Sequence, residues 1–301
     1  MNDTLLLIIS LFAALLGSIV RKYYMDGNKA GMAGVFVCNA VASAVSAVVL
    51  LVWGGFGASS TFTLILGTAF GLVTALQAIF NLAALALGPM SYTTVIVSFS
   101  TVITALSGKL FFGENIYAVQ IIGIVLMLVS FVFAVDKKSE EKSANLRWLI
   151  VCGLAFIFSG GIGIMQKIHQ TSSFKGELNA YLVIAFVAST VVSAAVAIFL
   201  YLKGSKDSPV SKKALPAIDK RFIFMLVLMI INGVSVAVNH KLNLYLSGVM
   251  DSATFFPIVN GGGLVLSTVA ALIIFRERLS VKQWIGLGVG ILSVIFLCNP
   301  F

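Results

Sequence analysis

Phe112-Gly113-Glu114-Asn115-Ile116 stands near the middle of the chain and returns near its end as Phe275-Arg276-Glu277-Arg278-Leu279. The match continues at one constant offset, with Gln120 on Gln283, Gly123 on Gly286 and Ser130 on Ser293. Upstream it persists with drifting offsets. Gly71, Gln77 and Asn81 align with Gly233, Asn239 and Asn243; Phe36, Val37 and Ser43 align with Phe186, Val187 and Ser193. Ile19 and Lys22 align more weakly with Ile164 and Lys167. Two halves therefore share one fold. Residues 1–135 read as the first repeat, 136–147 as a linker and 148–301 as the second repeat.

The solvent of this fold follows from composition. Apolar residues make up 59% of the chain and charged residues 10%, whereas a soluble domain runs near 45–50% and about 25%. Ten apolar runs are legible, beginning near residues 4, 31, 62, 91, 116, 148, 179, 222, 253 and 281. Each approaches the roughly 20 residues that carry a helix across about 30 Å of hydrocarbon, and none alternates as a strand would. The expected fold class is an all-α integral membrane protein, with ten transmembrane helices as two five-helix repeats. A repeat with an odd number of spans enters the bilayer inverted in its second copy, the architecture of alternating-access carriers. The first run has Asp3 and no Lys or Arg at its head, and it has a partner in the sixth run. It reads as a retained helix.

The net charge of +9 is explained by its distribution rather than by nucleic acid. With alternate loops assigned to two faces, only Lys109, Lys167, Lys175 and Lys241 of the 20 Lys and Arg fall on one face. The other collects Arg21, Lys22 and Lys29 in the loop after the first run and clusters at 137–147, 203–221 and 276–282, and should be cytoplasmic. Both termini are then extracellular, the linker is cytoplasmic, and the chain belongs in the plasma membrane as a multi-pass protein. Trp53, Trp148 and Trp284 sit at one end or the other of their runs, where indoles favour the interface. Cys38, Cys152 and Cys298 have neither disulfide nor zinc spacing and read as small core residues.

Ten helices in two repeats, each with a fourth helix ending in Phe-Gly-Glu or Phe-Arg-Glu, then an aliphatic residue, Gln and Gly at fixed steps, resemble the EamA-like branch of the drug/metabolite transporter superfamily. The resemblance spans essentially the whole chain. It implies transport of metabolites or amino acids, generally export, with helices one to four of each half around a central cavity. The family is often drawn with both termini in the cytoplasm; the charge count here gives the reverse.

An amide left unsatisfied in hydrocarbon costs several kcal/mol, so polar side chains within spans point into the bundle or a wet cavity. In the eighth run Asn232, Ser235, Asn239 and Asn243 recur at steps of three and four, one face of a helix. Thr74, Gln77 and Asn81 repeat part of this spacing in the third run, and Ser91, Thr94, Ser98 and Thr101 form a hydroxyl stripe in the fourth. The ninth run offers Asn260 beside Gly261-Gly262-Gly263, with Pro257 before them, where a helix can kink, unwind or admit a close backbone. The candidate substrate site therefore comprises Gln77, Asn81, Ser98, Asn232, Asn239, His240 and Asn260, with Phe80, Tyr92 and Phe256 as walls. Each has a second reading: Asn, Ser and Thr also tie membrane helices together, and Asn81 and Asn243 can cap helix ends. Glu114 and Glu277 stand before helices, where an acid favours the N-terminus.

None of the 11 acids falls within an apolar run, which counts against a cation antiporter. Metal-ligand spacing, a phosphate loop and a catalytic constellation are all missing from the sequence, so no metal, cofactor or enzymatic activity is expected. The expected function is secondary transport, without ATP, of a small neutral or zwitterionic metabolite, with amino acids foremost because the resemblance favours them. A nucleobase, nucleoside or vitamin-like solute is the alternative, and a non-transporting receptor or structural protein a further one. The expected partners are that solute and the lipid bilayer, with no nucleic acid. A monomer is expected, with a GxxxG step at Gly286 and Gly290 leaving a homodimer open. Only His240 within the spans titrates near neutral pH, so facilitated diffusion or exchange is expected.

Overall fold

A computed structural model of the chain describes residues 2–28, 32–57, 59–87, 93, 96–134, 146–207, 220–274 and 280–298. Ser91, Tyr92, Thr94, most of the linker, residues 208–219 and the second copy of the opening motif at 275–279 lie outside them. Among the described residues there is no strand. The α-helices whose bounds fall within the described residues are, in order, α1 (Asp3–Asn28), α2 (Met32–Gly54), α3 (Thr61–Leu87), α4 (Ser100–Phe111), α5 (Ala118–Ala134), α6 (Leu146–Thr171), α7 (Leu178–Asp207), α8 (Lys220–Val249), α9 (Ser252–Ile273) and α10 (Val281–Cys298). Six of them, α1, α2, α3, α6, α7 and α8, are long and apolar enough to cross a bilayer; the apolar stretches of the others are shorter. Large apolar side chains face outward, with Val52 85% and Val281 78% exposed. Such exposure fits a membrane protein, in which lipid would cover these side chains.

The chain divides into two compact units, each drawing on both sequence halves. One contains residues 1–11, 76–175 and 242–301; the other contains residues 12–75 and 176–241.

In the second of these, α2 packs along α7. Asn39 donates to Ser193 at 2.8 Å, and the hydroxyls of Ser43 and Ser189 lie 3.2 Å apart. Partner numbers fall on α7 as they rise on α2, so the helices run antiparallel. Asn179 continues the trend by donating to the Leu50 carbonyl at 2.9 Å. The offset that aligns Ser43 with Ser193 also aligns Asn39 with Ser189, so the two bonds exchange under the repeat. Such reciprocity is the mark of a local two-fold. Gly71 of α3 and its equivalent Gly233 of α8 extend it. A β-carbon at Gly71 would sit against the Ala185 carbonyl oxygen of α7, and one at Gly233 would meet Val45 and the Ala42 oxygen of α2 at 2.6 and 2.9 Å.

The first unit repeats the device with α5 and α10. Ser130 donates to the Gly286 carbonyl at 2.7 Å, and Ser293 donates to the Gly123 carbonyl at 2.8 Å. The offset that aligns Ser130 with Ser293 also aligns Gly123 with Gly286, so these two bonds exchange under the repeat, and again the helices are antiparallel. Gln120 and Gln283 explain another matched position. The backbone N–H of Tyr117 donates to the Gln120 side chain and that of Ser280 to the Gln283 side chain, each at 2.9 Å. This is one arm of a capping box at the N-termini of α5 and α10. The Gln, Gly and Ser of the repeated motif thus start two helices and zip them together.

Three expectations are revised. α1 runs on through Arg21 to Asn28, well past its apolar stretch, because a helix satisfies its own backbone whether or not its side chains suit lipid. α9 stays continuous through Pro257 and the three glycines; of these only Gly261 is tightly approached, a β-carbon there meeting the Met127 sulfur at 3.1 Å, whereas one at Gly263 would meet nothing within 4 Å. Trp148 is buried, its indole N–H donating to Thr93 at 2.9 Å, because it faces Ala84 and Cys152 inside the unit. Trp53 and Trp284 are exposed, as interface indoles would be, and Cys38 and Cys152 are buried and free.

Gly71→Ala is expected to lower stability by about 1–3 kcal/mol, the range for overpacking, because backbone cannot yield as a side chain can. Gly153→Ala in α6 has open space around the new carbon and should gain up to about 1 kcal/mol of helix propensity. Thermal unfolding of the two variants in detergent checks the contrast.

Candidate functional site

The amide stripe of α8 lines a cavity of about 510 Å³ in the unit formed by residues 12–75 and 176–241. Asn232, Ser235, Asn239 and His240 form one wall. Steps of three and four along α8 put the first three on one side of the helix, and His240 adjoins them. The opposite wall is α1, through Ala13, Ala14, Gly17, Ser18 and Arg21. Small side chains on α1 leave the space open, and Gly17 does so most directly: a β-carbon there would lie 3.4 Å from the Asn232 side-chain oxygen.

The polar groups of this wall differ in what they have left to offer. Ser18 donates to the Leu15 carbonyl at 2.8 Å and Ser235 to the Ile231 carbonyl at 2.9 Å, each within its own helix. Asn232 is buried, and its nitrogen has only a weak contact with the Cys38 sulfur at 4.0 Å. Its oxygen has no hydrogen-bond partner, nor does Nδ1 of His240. The imidazole is held edge-on by Phe186 and Phe70, with ring centroids 5.3 and 6.3 Å away. Lys241 turns away from the cavity, donating to Asn179 at 3.2 Å and lying 4.1 Å over the Trp53 ring. Buried polar atoms without partners are costly, so a cavity that keeps two of them is suited to a ligand or water that completes them.

The other candidate residues belong to the first unit. Asn260 donates to Thr101 at 2.7 Å and ties α9 to α4, while Asn243 accepts from Ser10 at 2.5 Å and ties α8 to α1. Phe256 lies in an apolar cluster with Leu6, Leu7, Ala105 and Phe255. Phe80 stacks on Phe158 at 5.5 Å. Gln77, Asn81 and Ser98 are partly buried. Tyr92 lies outside the described residues. Three of the candidates, Asn232, Asn239 and His240, are thus brought together on the cavity.

Arg21 is the residue that sequence reading missed. It was assigned to a cytoplasmic loop by its charge, yet it continues α1 and lines the cavity. The available signal was spacing: Ala14, Gly17, Ser18 and Arg21 recur at helical steps.

Glu114 plays a different part from the one expected. It stands before α5 but accepts from the backbone N–H of Ser252 at 2.7 Å, serving the N-terminus of α9. It also pairs with Lys167 of α6 at 2.5 Å, both side chains being nearly buried. Lys167 donates in addition to the Met250 carbonyl at 2.8 Å.

No family model matches the chain. No curated protein matches it by sequence. Among solved structures 28 chains match; one crystal structure, 12% identical in sequence, aligns with a TM-score of 0.72 over 98% of this chain and 95% of its own. At that identity the likeness concerns the fold alone, and it extends over almost all of both chains.

Removing one partner of a buried ion pair leaves the other charge stranded, at a cost of about 3–5 kcal/mol. Lys167→Met should lose stability on that scale, and adding Glu114→Gln should restore much of it. Thermal unfolding in detergent, read as a double-mutant cycle, checks the recovery.

Proposed function

We propose that the chain is a secondary transporter that moves a small polar metabolite across the plasma membrane by alternating access. The observation that carries this reading is the cavity of about 510 Å³ walled by the polar face of α8 and the small residues of α1, with two buried polar atoms lacking partners. Its size lies within the roughly 300–1,000 Å³ of small-molecule sites. The antiparallel pairing of α2 with α7 and of α5 with α10 supports two inverted halves of five helices, the symmetry that lets a carrier present one site to either side. Ten spans, extracellular termini and membership of the EamA-like branch belong to the same proposal, and the repeated motif supports the last. The chain acts as a carrier rather than an enzyme, and an amino acid or related compound is the solute class the resemblance favours. A nucleoside or vitamin-like solute fits the same cavity volume. Facilitated diffusion or exchange is the matching mode of operation, since none of the described cavity-lining residues is a carboxylate.

The purified chain in liposomes loaded with a metabolite mixture should release at least one solute faster than protein-free liposomes, with mass spectrometry as the readout. Release indistinguishable from the control would overturn transport in favour of a receptor or structural role. Asn239→Leu removes a polar group from the cavity wall, and a lost buried partner costs about 1–3 kcal/mol. Apparent affinity for the released solute should fall roughly 5- to 150-fold while the variant still elutes as a folded particle.

A further inference from the structure

Among the described lining residues of the cavity one carries a fixed charge, Arg21 of α1. Arg21 forms no ion pair with a described residue, and among the described residues no cluster of His, Cys, Asp or Glu could hold a metal to alter the balance. Across the cavity the Asn232 side-chain oxygen is buried and has no donor. An amide oxygen only accepts, so the group that completes it must bring an N–H or O–H.

We infer that the site takes a small organic monoanion: a carboxylate seated on Arg21, with a hydrogen-bond donor such as a hydroxyl directed to Asn232. This rests on the transport reading and narrows it from polar metabolites to hydroxy-acid-like anions. A guanidinium presents paired N–H donors that match the two oxygens of a carboxylate, and charge-assisted bonds of this kind are about twice as strong as neutral ones. A zwitterion would gain the same contact, but its ammonium group would enter a cavity whose described lining residues carry a positive charge and no counter-charge. A hydroxyl in that place satisfies Asn232 without the repulsion. The alternative for Arg21 is a helix-end cation reaching for a headgroup, which would leave solute selection unaffected by its replacement.

The test uses the full chain in detergent and four probes on one skeleton: lactate, alanine, lactamide and alaninamide, together with their phenyl-bearing counterparts. Calorimetric titration should rank each set with the hydroxy acid first, the amino acid second and the two amides last. The hydroxy acid should bind at least about tenfold tighter than its amide. Arg21→Gln should weaken hydroxy-acid binding roughly 10- to 100-fold, the scale of a lost charge-assisted bond, leave the neutral lactamide unchanged and relieve the repulsion on the cationic alaninamide. Arg21→Lys should retain part of the preference. Asn232→Leu should reduce the advantage of the hydroxy acid over the acid lacking its hydroxyl, propionate or phenylpropionate, which gives a second variant if Arg21→Gln inserts poorly. Amides that bind as tightly as acids, an Arg21→Gln variant that keeps the preference, or no binding by any probe at millimolar concentration would each overturn the inference. Liposome flux separates this from the transport reading. An acid that binds through Arg21 but is never moved keeps the anion site and removes the carrier; an amide that is moved equally by the parent and by Arg21→Gln keeps the carrier and removes the anion site.

Discussion

Helices surrounded by lipid gain little from pressing apolar faces together, because the solvent they leave is as apolar as the partner they meet. Association must come from close backbone approach and from hydrogen bonds that small side chains can reach. The reciprocal bonds between α5 and α10, Ser130 to the Gly286 carbonyl and Ser293 to the Gly123 carbonyl, meet both conditions. Glycine brings the helices close, and serine, one carbon long, spans what remains. The α2 and α7 pair uses Asn39, Ser43, Ser189 and Ser193 in the same way. A duplicated helix that meets its own copy in the opposite direction needs only one such sequence to build both sides of the contact, which is why these positions match between the halves.

That economy made the fold legible. The spacing of Gln, Gly and Ser after Phe112-Gly113-Glu114 could be matched to the second half before any function was assigned to it, and the structure shows its first copy and what is described of its second as caps and crossings. The ends of helices were less legible. Arg21 was read as a loop residue because charge was used to mark where a span stops, whereas α1 stops where its backbone bonding stops. Charge reports where a helix meets water and not where it ends.

The candidate site was half legible for a related reason. Periodicity identifies the face of α8 that carries Asn232, Asn239 and Asn243, but it cannot say which amide a neighbouring helix has already engaged. Ser10 takes Asn243 and Thr101 takes Asn260, and neither partner is near in sequence. Phe256 was placed as a wall beside Asn260, yet one helix face can serve the core at one turn and a neighbour at the next. What distinguishes Asn232 is an oxygen left over, a property of three-dimensional neighbours.

The buried pair of Lys167 and Glu114 bears on motion. Lys167 holds the carbonyl of Met250, just beyond the last residue of α8, and Glu114 holds the amide of Ser252, the first of α9. Asp251 is the one residue between those two anchors. A connection this short, gripped on both sides by an ion pair, behaves as a stiff elbow and not as a swivel. When the last turn of α8 before Met250 tilts, the first turns of α9 are carried with it, and the apolar cluster around Phe256 that those turns belong to feels the displacement directly.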